Sequence, residues 1–201
     1  VIVVMKSNFL LISEDLQKKD FISENINNFY FIDSDSDRNI KIDFKLKNKS
    51  KSTFIFLVFN NNHKVNIDIS CDINSEKINS DVIVLVYGMN QSITNVKVTY
   101  KLDSQAIDSL VNQKIIGIML SNDAVITGIP NLIVNCLEAK AEHSLKIGAL
   151  DMEELFYLLC KGFNEKESKN ILIQTEINKI INNLNEQEKQ ICLETIKRKL
   201  M

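Results

Sequence analysis

The last third of the chain carries two side chains that could bind iron, His143 and Cys136. An imidazole can ligate iron or transfer protons near neutral pH. A thiolate is a softer ligand, and both groups could share one iron if their side chains point the same way. The alternatives are that a lone histidine packs or caps at a domain junction, and that the cysteine is a small buried apolar residue, which its type favours. The spacing of these two residues alone therefore does not decide between a metal site and these alternatives.

The other histidine and the remaining cysteines show no metal or redox pattern. His63 has no second histidine or cysteine at metal-site spacing, so we interpret it as an ordinary surface residue. The four cysteines form no C-x-x-C pair, and we expect them to be reduced and mostly buried; they are Cys71, Cys136, Cys160 and Cys192. None of the five glycines belongs to a G-x-x-x-x-G-K-[ST] stretch, so we do not expect the chain to hydrolyse nucleotides.

Composition narrows the choice of partners. The chain has 24 basic and 26 acidic residues and a net charge of -2, which gives no general attraction to nucleic acids or anionic membranes. Its longest apolar runs, Phe54–Phe59 and Val82–Tyr87, are far shorter than the ~20 residues that span a bilayer. Residues 1–4 lack the basic and apolar regions of a secretory signal. We therefore expect a cytoplasmic protein, or a stromal one in a plastid-bearing cell.

Hydrophobic periodicity predicts a β-rich body from about Phe29 to Cys136. Apolar and polar residues alternate in Ile40–Leu46 and Val65–Ile73, as in half-exposed strands, whereas the two long apolar runs suit strands covered on both faces. Turn-forming residues separate these runs: Asn60–Asn62, Gly88–Asn90 and Thr127–Pro130. The period does not distinguish a sandwich from a β-helix, because both stack short strands over an apolar interior.

The final fifty residues have helical signals instead. Asp151 and Glu154 have the spacing of a capping box, and Gly162 offers a left-handed stop, which predicts a helix over 152–161. The capping spacing recurs at Asn164 with Glu167 and at Asn185 with Glu188. We therefore predict a small three-helix tail over 151–201, after a β core over 1–150.

Residues 142–163 resemble the end of SufB and SufD proteins, the scaffold subunits of the SUF iron–sulfur cluster assembly system. Without a gap, the family pattern S-H-G-A-T-V-G-x-L-D-x-x-x-L-F-Y-L-x-S-R-G-L is matched here by His143, Ile147-Gly148, Leu150-Asp151, Leu155-Phe156-Tyr157-Leu158 and Gly162, and Lys161 replaces an arginine. Upstream, Ile129–Ile133 resembles the proline-centred strand of the family. The resemblance covers roughly 129 to 175 and links His143 to cluster formation.

The resemblance implies a right-handed parallel β-helix followed by helices, which decides against the sandwich. It also implies partners: a SufC-type ABC ATPase docked on the helical tail, and a SufB-like paralogue or a second copy of this chain paired through the β-helix. The docking residues would be Leu155, Phe156, Tyr157, Lys161 and Gly162, although helices bury such apolar residues internally by default. No intrinsic cofactor is implied, only a transient iron–sulfur cluster shared at a subunit interface.

Two departures from the family pattern indicate that this chain is a SufD-like subunit and not a SufB-like one. SufB proteins follow the histidine with a glutamate, where this chain has Ser144. The cysteine thought to receive sulfur in SufB would fall at Ile115, which cannot bind sulfur or metal. The resulting hypothesis is a non-enzymatic scaffold. The alternatives are a structural β-helix interaction module and a polysaccharide-acting β-helix, which would need paired carboxylates that the sequence does not reveal.

Overall fold

The computed structural model describes residues 6–22, 24–47, 49–181 and eight separate positions between 184 and 196. Eleven strands and two helices lie in this part of the chain. The strands are β1 (Lys6–Ile12), β2 (Leu16–Ile22), β3 (Ile26–Ser34), β4 (Arg38–Leu46), β5 (Lys51–Asn61), β6 (Lys64–Ile73), β7 (Asn79–Met89), β8 (Ile93–Leu102), β9 (Leu110–Met119), β10 (Val125–Val134) and β11 (Lys140–Ala149). The helices are α1 (Met152–Cys160) and α2 (Glu165–Ile181).

The strands form a parallel β-solenoid. Odd-numbered strands make a six-stranded sheet in the order β1-β3-β5-β7-β9-β11, and even-numbered strands make a five-stranded sheet in the order β10-β8-β6-β4-β2. The chain thus alternates between two sheets and adds one strand to each as it coils. Neighbouring strands are parallel, for example β5 with β7 and β6 with β8. The expectation of a parallel β-helix is confirmed, and the sandwich is excluded.

The interior of the solenoid is packed with stacked aromatic and branched side chains. Phe44 and Phe54 face each other from the two sheets with ring centroids 4.0 Å apart, and Tyr30 stacks on Phe56 along one sheet at 4.5 Å. Leu57 and Leu85, on the opposite face of β5 and β7, are also buried. Burial on both faces explains the unbroken apolar runs in these two strands, as predicted.

Asparagine side chains form a ladder on the outer face of the five-stranded sheet. Asn66 Nδ2 donates to Asn39 Oδ1 at 2.9 Å, and Asn95 Nδ2 donates to Asn66 Oδ1 at 2.9 Å. These residues are paired between adjacent turns: Asn39 with Asn66, and Asn66 with Asn95. The ladder ties three successive turns together and fixes their register.

Replacing the central asparagine should measurably destabilise the solenoid. Asn66→Ala removes both ladder bonds, so we expect a loss of about 1–2 kcal/mol in the free energy of unfolding, measured by urea denaturation. Asp68→Ala, at the next outward position of β6, is the matched control, and its effect should stay within about 0.5 kcal/mol. Equal losses in the two variants would contradict a stabilising role for the ladder.

Both described helices begin at the predicted N-caps, and α1 also ends at the predicted glycine. Asp151 Oδ1 accepts hydrogen bonds from the backbone N–H groups of Glu153 and Glu154, at 2.9 and 3.2 Å. Gly162 has φ +96°, and the N–H of Phe163 reaches back to the carbonyl of Leu158 at 3.3 Å, as in a Schellman motif. At the start of α2 the capping box is reciprocal, because Asn164 and Glu167 each accept from the other's backbone N–H at 2.9 Å.

The chain forms two compact units, Val1–Ile147 and Gly148–Met201. The third predicted helix would begin at Asn185 with Glu188, and both positions lie outside the described residues. Seven described positions within 186–196 are helical. The predicted division into 1–150 and 151–201 stays a prediction. Among the described residues, no helix is both long and apolar enough to cross a bilayer.

The turn predicted at Thr127–Pro130 is wrong, because these residues lie in the middle of β10. Gly128 serves close packing there: a Cβ at this position would collide with Leu145 Cδ1. Proline is tolerated because β10 is the end strand of its sheet. The other two predicted turns are found slightly later than expected, at Asn62 and Asn90, where φ is +63° and +52°.

Candidate functional site

His143 lies within the last strand of the solenoid, rather than at the junction with the helix. Lys140 N donates to Ser109 O at 2.8 Å. One turn earlier, Leu110 N donates to Ile78 O in the same way, and there Leu110 is paired with Asn79, the residue after the acceptor. By the same rule Leu110 pairs with Lys140. Counting along both strands places His143 level with Gln113 of β9.

The imidazole occupies an inward position of β11. Strand side chains alternate between faces, and two residues of this strand point into the coil. Leu145 lies against Gly128, where it would collide with an added Cβ atom. Ile147 Cγ1 lies 3.1 Å from the place that a Cβ atom would occupy on Gly117. His143 shares the face of these residues. Because β11 is the end strand of its sheet, the histidine lies at the open end of the solenoid and is exposed.

A buried glutamine lies directly beneath the histidine. The inward column below His143 runs through Phe54, Val82 and Gln113, and all three are fully buried. Gln113 Nε2 donates to the carbonyl of Asn131 at 3.0 Å. Its Oε1 has no hydrogen-bond partner among the residues that the structure describes. Gln113 was not predicted from the sequence, although a polar residue at an inward position between Val111 and Ile115 could have indicated it.

Cys136 lies in the loop between β10 and β11 and is 7% exposed, with its side chain against the hydrophobic core. Its Sγ is 3.9 Å from Glu138 Oε2. In the described part of the chain, no group of three or more histidine, cysteine or acidic residues is arranged to hold a metal ion. The roles of His143 and Cys136 as ligands therefore stay predictions.

The two departures from the family pattern have different structural meanings. Ser144 faces away from His143, since adjacent strand residues point to opposite faces. A glutamate there would not share a site with this imidazole within one chain. Ile115 points inward, is fully buried, and lies near Gly128, with its Cγ2 3.3 Å from the Cβ position of that glycine. The position of the family cysteine is thus a packing site in this chain.

Cys71 and His63 belong to earlier turns of the solenoid than His143. Cys71 is buried in the solenoid, where desolvation raises the pKa of its thiol well above the usual range. Cys160 is exposed on α1, and Cys192 lies outside the described residues. His63 is partly exposed, with Nδ1 3.9 Å from Asp37 Oδ1.

Apolar side chains are exposed around the open end of the solenoid. β10 and β11 are the end strands of their sheets, and among the described strands none pairs with their outer edges, which carry backbone N–H and carbonyl groups. Leu137 in the connecting loop is fully exposed, at 104%. Other large apolar residues there are between 40% and 52% exposed: Ile129, Ile133, Val134 and Leu145.

The first helix also presents aromatic side chains to solvent. Leu155 is buried, whereas Phe156 and Tyr157 are 67% and 60% exposed. Lys161 Nζ lies 5.2 Å from the centre of the Tyr157 ring, within cation–π range. Gly162 ends the helix. The predicted docking residues thus divide into one internal anchor, one helix stop, and an exposed patch formed by Phe156, Tyr157 and Lys161, which we call the α1 patch.

The chain thus belongs to the class of parallel β-solenoid proteins. An inward histidine lies at the open end of its solenoid, and a capped helix follows the last strand. The family model for the SUF system FeS cluster assembly, SufBD core domain, matches residues 25–175, which include His143 and all of α1. The chain therefore belongs to the SufB/SufD family and has a role in SUF iron–sulfur cluster assembly. No curated protein matches the chain.

Proposed function

We propose that this chain is a SufD-like, non-enzymatic scaffold that contributes His143 to a cluster-assembly interface. The observation that supports this proposal is the position of His143. Its imidazole is exposed on the inward row of the end strand β11, within the region that the family model matches. An iron–sulfur cluster is the cargo of such a site and not a resident cofactor. One imidazole is an incomplete ligand set, so the remaining ligands would come from a partner chain.

Pairing through the open end of the solenoid is supported by its unpaired edges and apolar surface. A free parallel edge offers backbone donors and acceptors to a strand of another chain, as in β-augmentation. The exposed side chains of Ile133 and Leu145 would lose their contact with water in such a pair. The partner would be a SufB-like paralogue or a second copy of this chain, and His143 would lie at the contact.

ATPase docking is supported by the exposed aromatic residues of α1. Aromatic side chains flanked by a cation are typical anchors of protein interfaces. Phe156 and Tyr157 are adjacent in sequence, so they project from neighbouring sides of the helix. We assign this patch to a SufC-type ABC ATPase, which would supply all ATP hydrolysis.

The proposal is tested with the complete chain. We expect the tagged chain to co-purify with a SufC-type ATPase at defined stoichiometry, and to show no ATP hydrolysis by itself. Anaerobic addition of iron and sulfide to that complex, together with the SufB-like paralogue where one is encoded, should produce the visible absorption of an iron–sulfur cluster. Failure to bind any SufC-type ATPase would overturn the scaffold proposal and favour a structural interaction module.

A further inference from the structure

We propose that Gln113 positions the His143 imidazole, by accepting a hydrogen bond from one ring N–H through its carboxamide oxygen. The other ring nitrogen is then left unprotonated and directed toward the open end of the solenoid, where it can bind a metal. The hydrogen bond stands independently of the cluster function, whereas its value for assembly rests on the scaffold proposed above.

The backbone register brings the two side chains together. Gln113 and His143 occupy paired positions of β9 and β11 and share the inward face, as the hydrogen bond from Lys140 N to Ser109 O establishes. Paired residues on neighbouring strands are about 4.8 Å apart. A glutamine side chain is long enough to reach the imidazole of its neighbour across that distance.

The carboxamide is fixed at one end and unsatisfied at the other. Its Nε2 donates to the carbonyl of Asn131 at 3.0 Å, which settles the direction of the amide. Its Oε1 is buried and has no partner among the described residues. A buried acceptor without a partner is costly, so a donor in reach is favoured. His143, at the paired position of β11 on the same inward face, is exposed and carries a ring N–H donor.

The chemistry of neutral histidine makes this bond decisive for ligation. One ring nitrogen carries the proton and the other offers a lone pair. An acceptor that engages the N–H fixes the tautomer and the ring orientation, as outer-shell acceptors commonly do for metal-binding histidines. Gln113 is thus a positioning residue, which acts on a cluster only through His143.

The hydrogen bond is measured directly by NMR of ¹⁵N-histidine-labelled protein. The chain has only two histidines, so His143→Ala assigns the signals. We expect His143 to show one dominant tautomer in the wild type. Gln113→Met keeps a similar side-chain volume but removes the acceptor, and should shift the tautomer ratio about fivefold toward that of a free histidine side chain, as loss of one net hydrogen bond allows. Gln113→Glu is at a fully buried position that favours the protonated acid, whose O–H can donate to Asn131 O while its other oxygen accepts from the ring, so it should restore the wild-type tautomer ratio.

Lys114→Met is the matched control, because it changes the next residue of β9 on the outward face. It should leave the His143 signals unchanged, and His63 should be unaffected in every variant. A wild-type tautomer ratio equal to that of a free histidine side chain would overturn the proposal even if Gln113→Met fails to fold. So would an unchanged ratio in a folded Gln113→Met protein.

A second readout separates this inference from the function on which it partly rests. In anaerobic assembly with iron and sulfide, Gln113→Met should lower the cluster yield about tenfold, and Gln113→Glu should recover part of it. If the tautomer shifts but neither Gln113→Met nor His143→Ala alters the yield, the positioning bond stands and the cluster role of His143 fails. If His143→Ala alone lowers the yield, the proposed contribution of Gln113 to assembly is wrong.

Discussion

Replacing Phe156 and Tyr157 together by glutamate should weaken binding of a SufC-type ATPase by about 100-fold or more. Both side chains are more than half exposed, so the change should leave the helix folded. Buried aromatic anchors at interfaces commonly contribute about 1–2 kcal/mol or more each, and a glutamate would additionally place an unpaired charge in the contact. The affinity is measured by titration calorimetry with purified ATPase, and helicity by circular dichroism.

A charge-matched control distinguishes a specific contact from general repulsion. Gln91→Glu with Gln105→Glu adds two glutamates at exposed turns of the solenoid, outside the helical tail. We expect the affinity of this variant to stay within about threefold of the wild type, because surface changes outside a contact have small effects. Equal weakening in both double variants would mean that net charge, and not the α1 patch, governs binding.

His143→Ala should lower the yield of assembled cluster at least about tenfold while leaving the ATPase complex intact. Loss of a ligand removes more than an outer-shell change, which typically costs 10–100-fold in metal affinity or activity. The side chain is exposed, so its removal opens no cavity in the core. The yield is measured from the visible absorption after anaerobic reconstitution, and the complex by size-exclusion chromatography.

Glu142→Ala is the control for this experiment. Glu142 is the preceding residue of β11, is exposed, and points to the opposite face. Its removal should leave both cluster yield and complex formation unchanged. A normal yield in the His143→Ala protein would remove His143 from the assembly mechanism, whatever the behaviour of the ATPase.

Local rules predicted the fold where one short-range interaction dominates. The caps at Asp151 and Asn164 follow from side chains bonding to nearby N–H groups, which spacing reveals. Apolar and polar residues alternate in β4 and β6 because one face of each strand is buried and the other faces solvent. The same rules wrongly predicted a turn at Thr127–Pro130. Position 128 must be a glycine because the side chain of Leu145, a residue far along the chain, packs where a Cβ atom would be.

His143 was identified from the sequence, but its surroundings were not. Residue types, caps and strand periods are local properties, so the chain by itself determined a β body, a helical tail and a family motif around His143. The parallel β-solenoid determined the surroundings of the histidine: it placed His143 above Gln113, turned Ser144 to the opposite face, and buried Ile115. Such neighbours are about thirty residues apart and meet only through strand register, which depends on the whole solenoid.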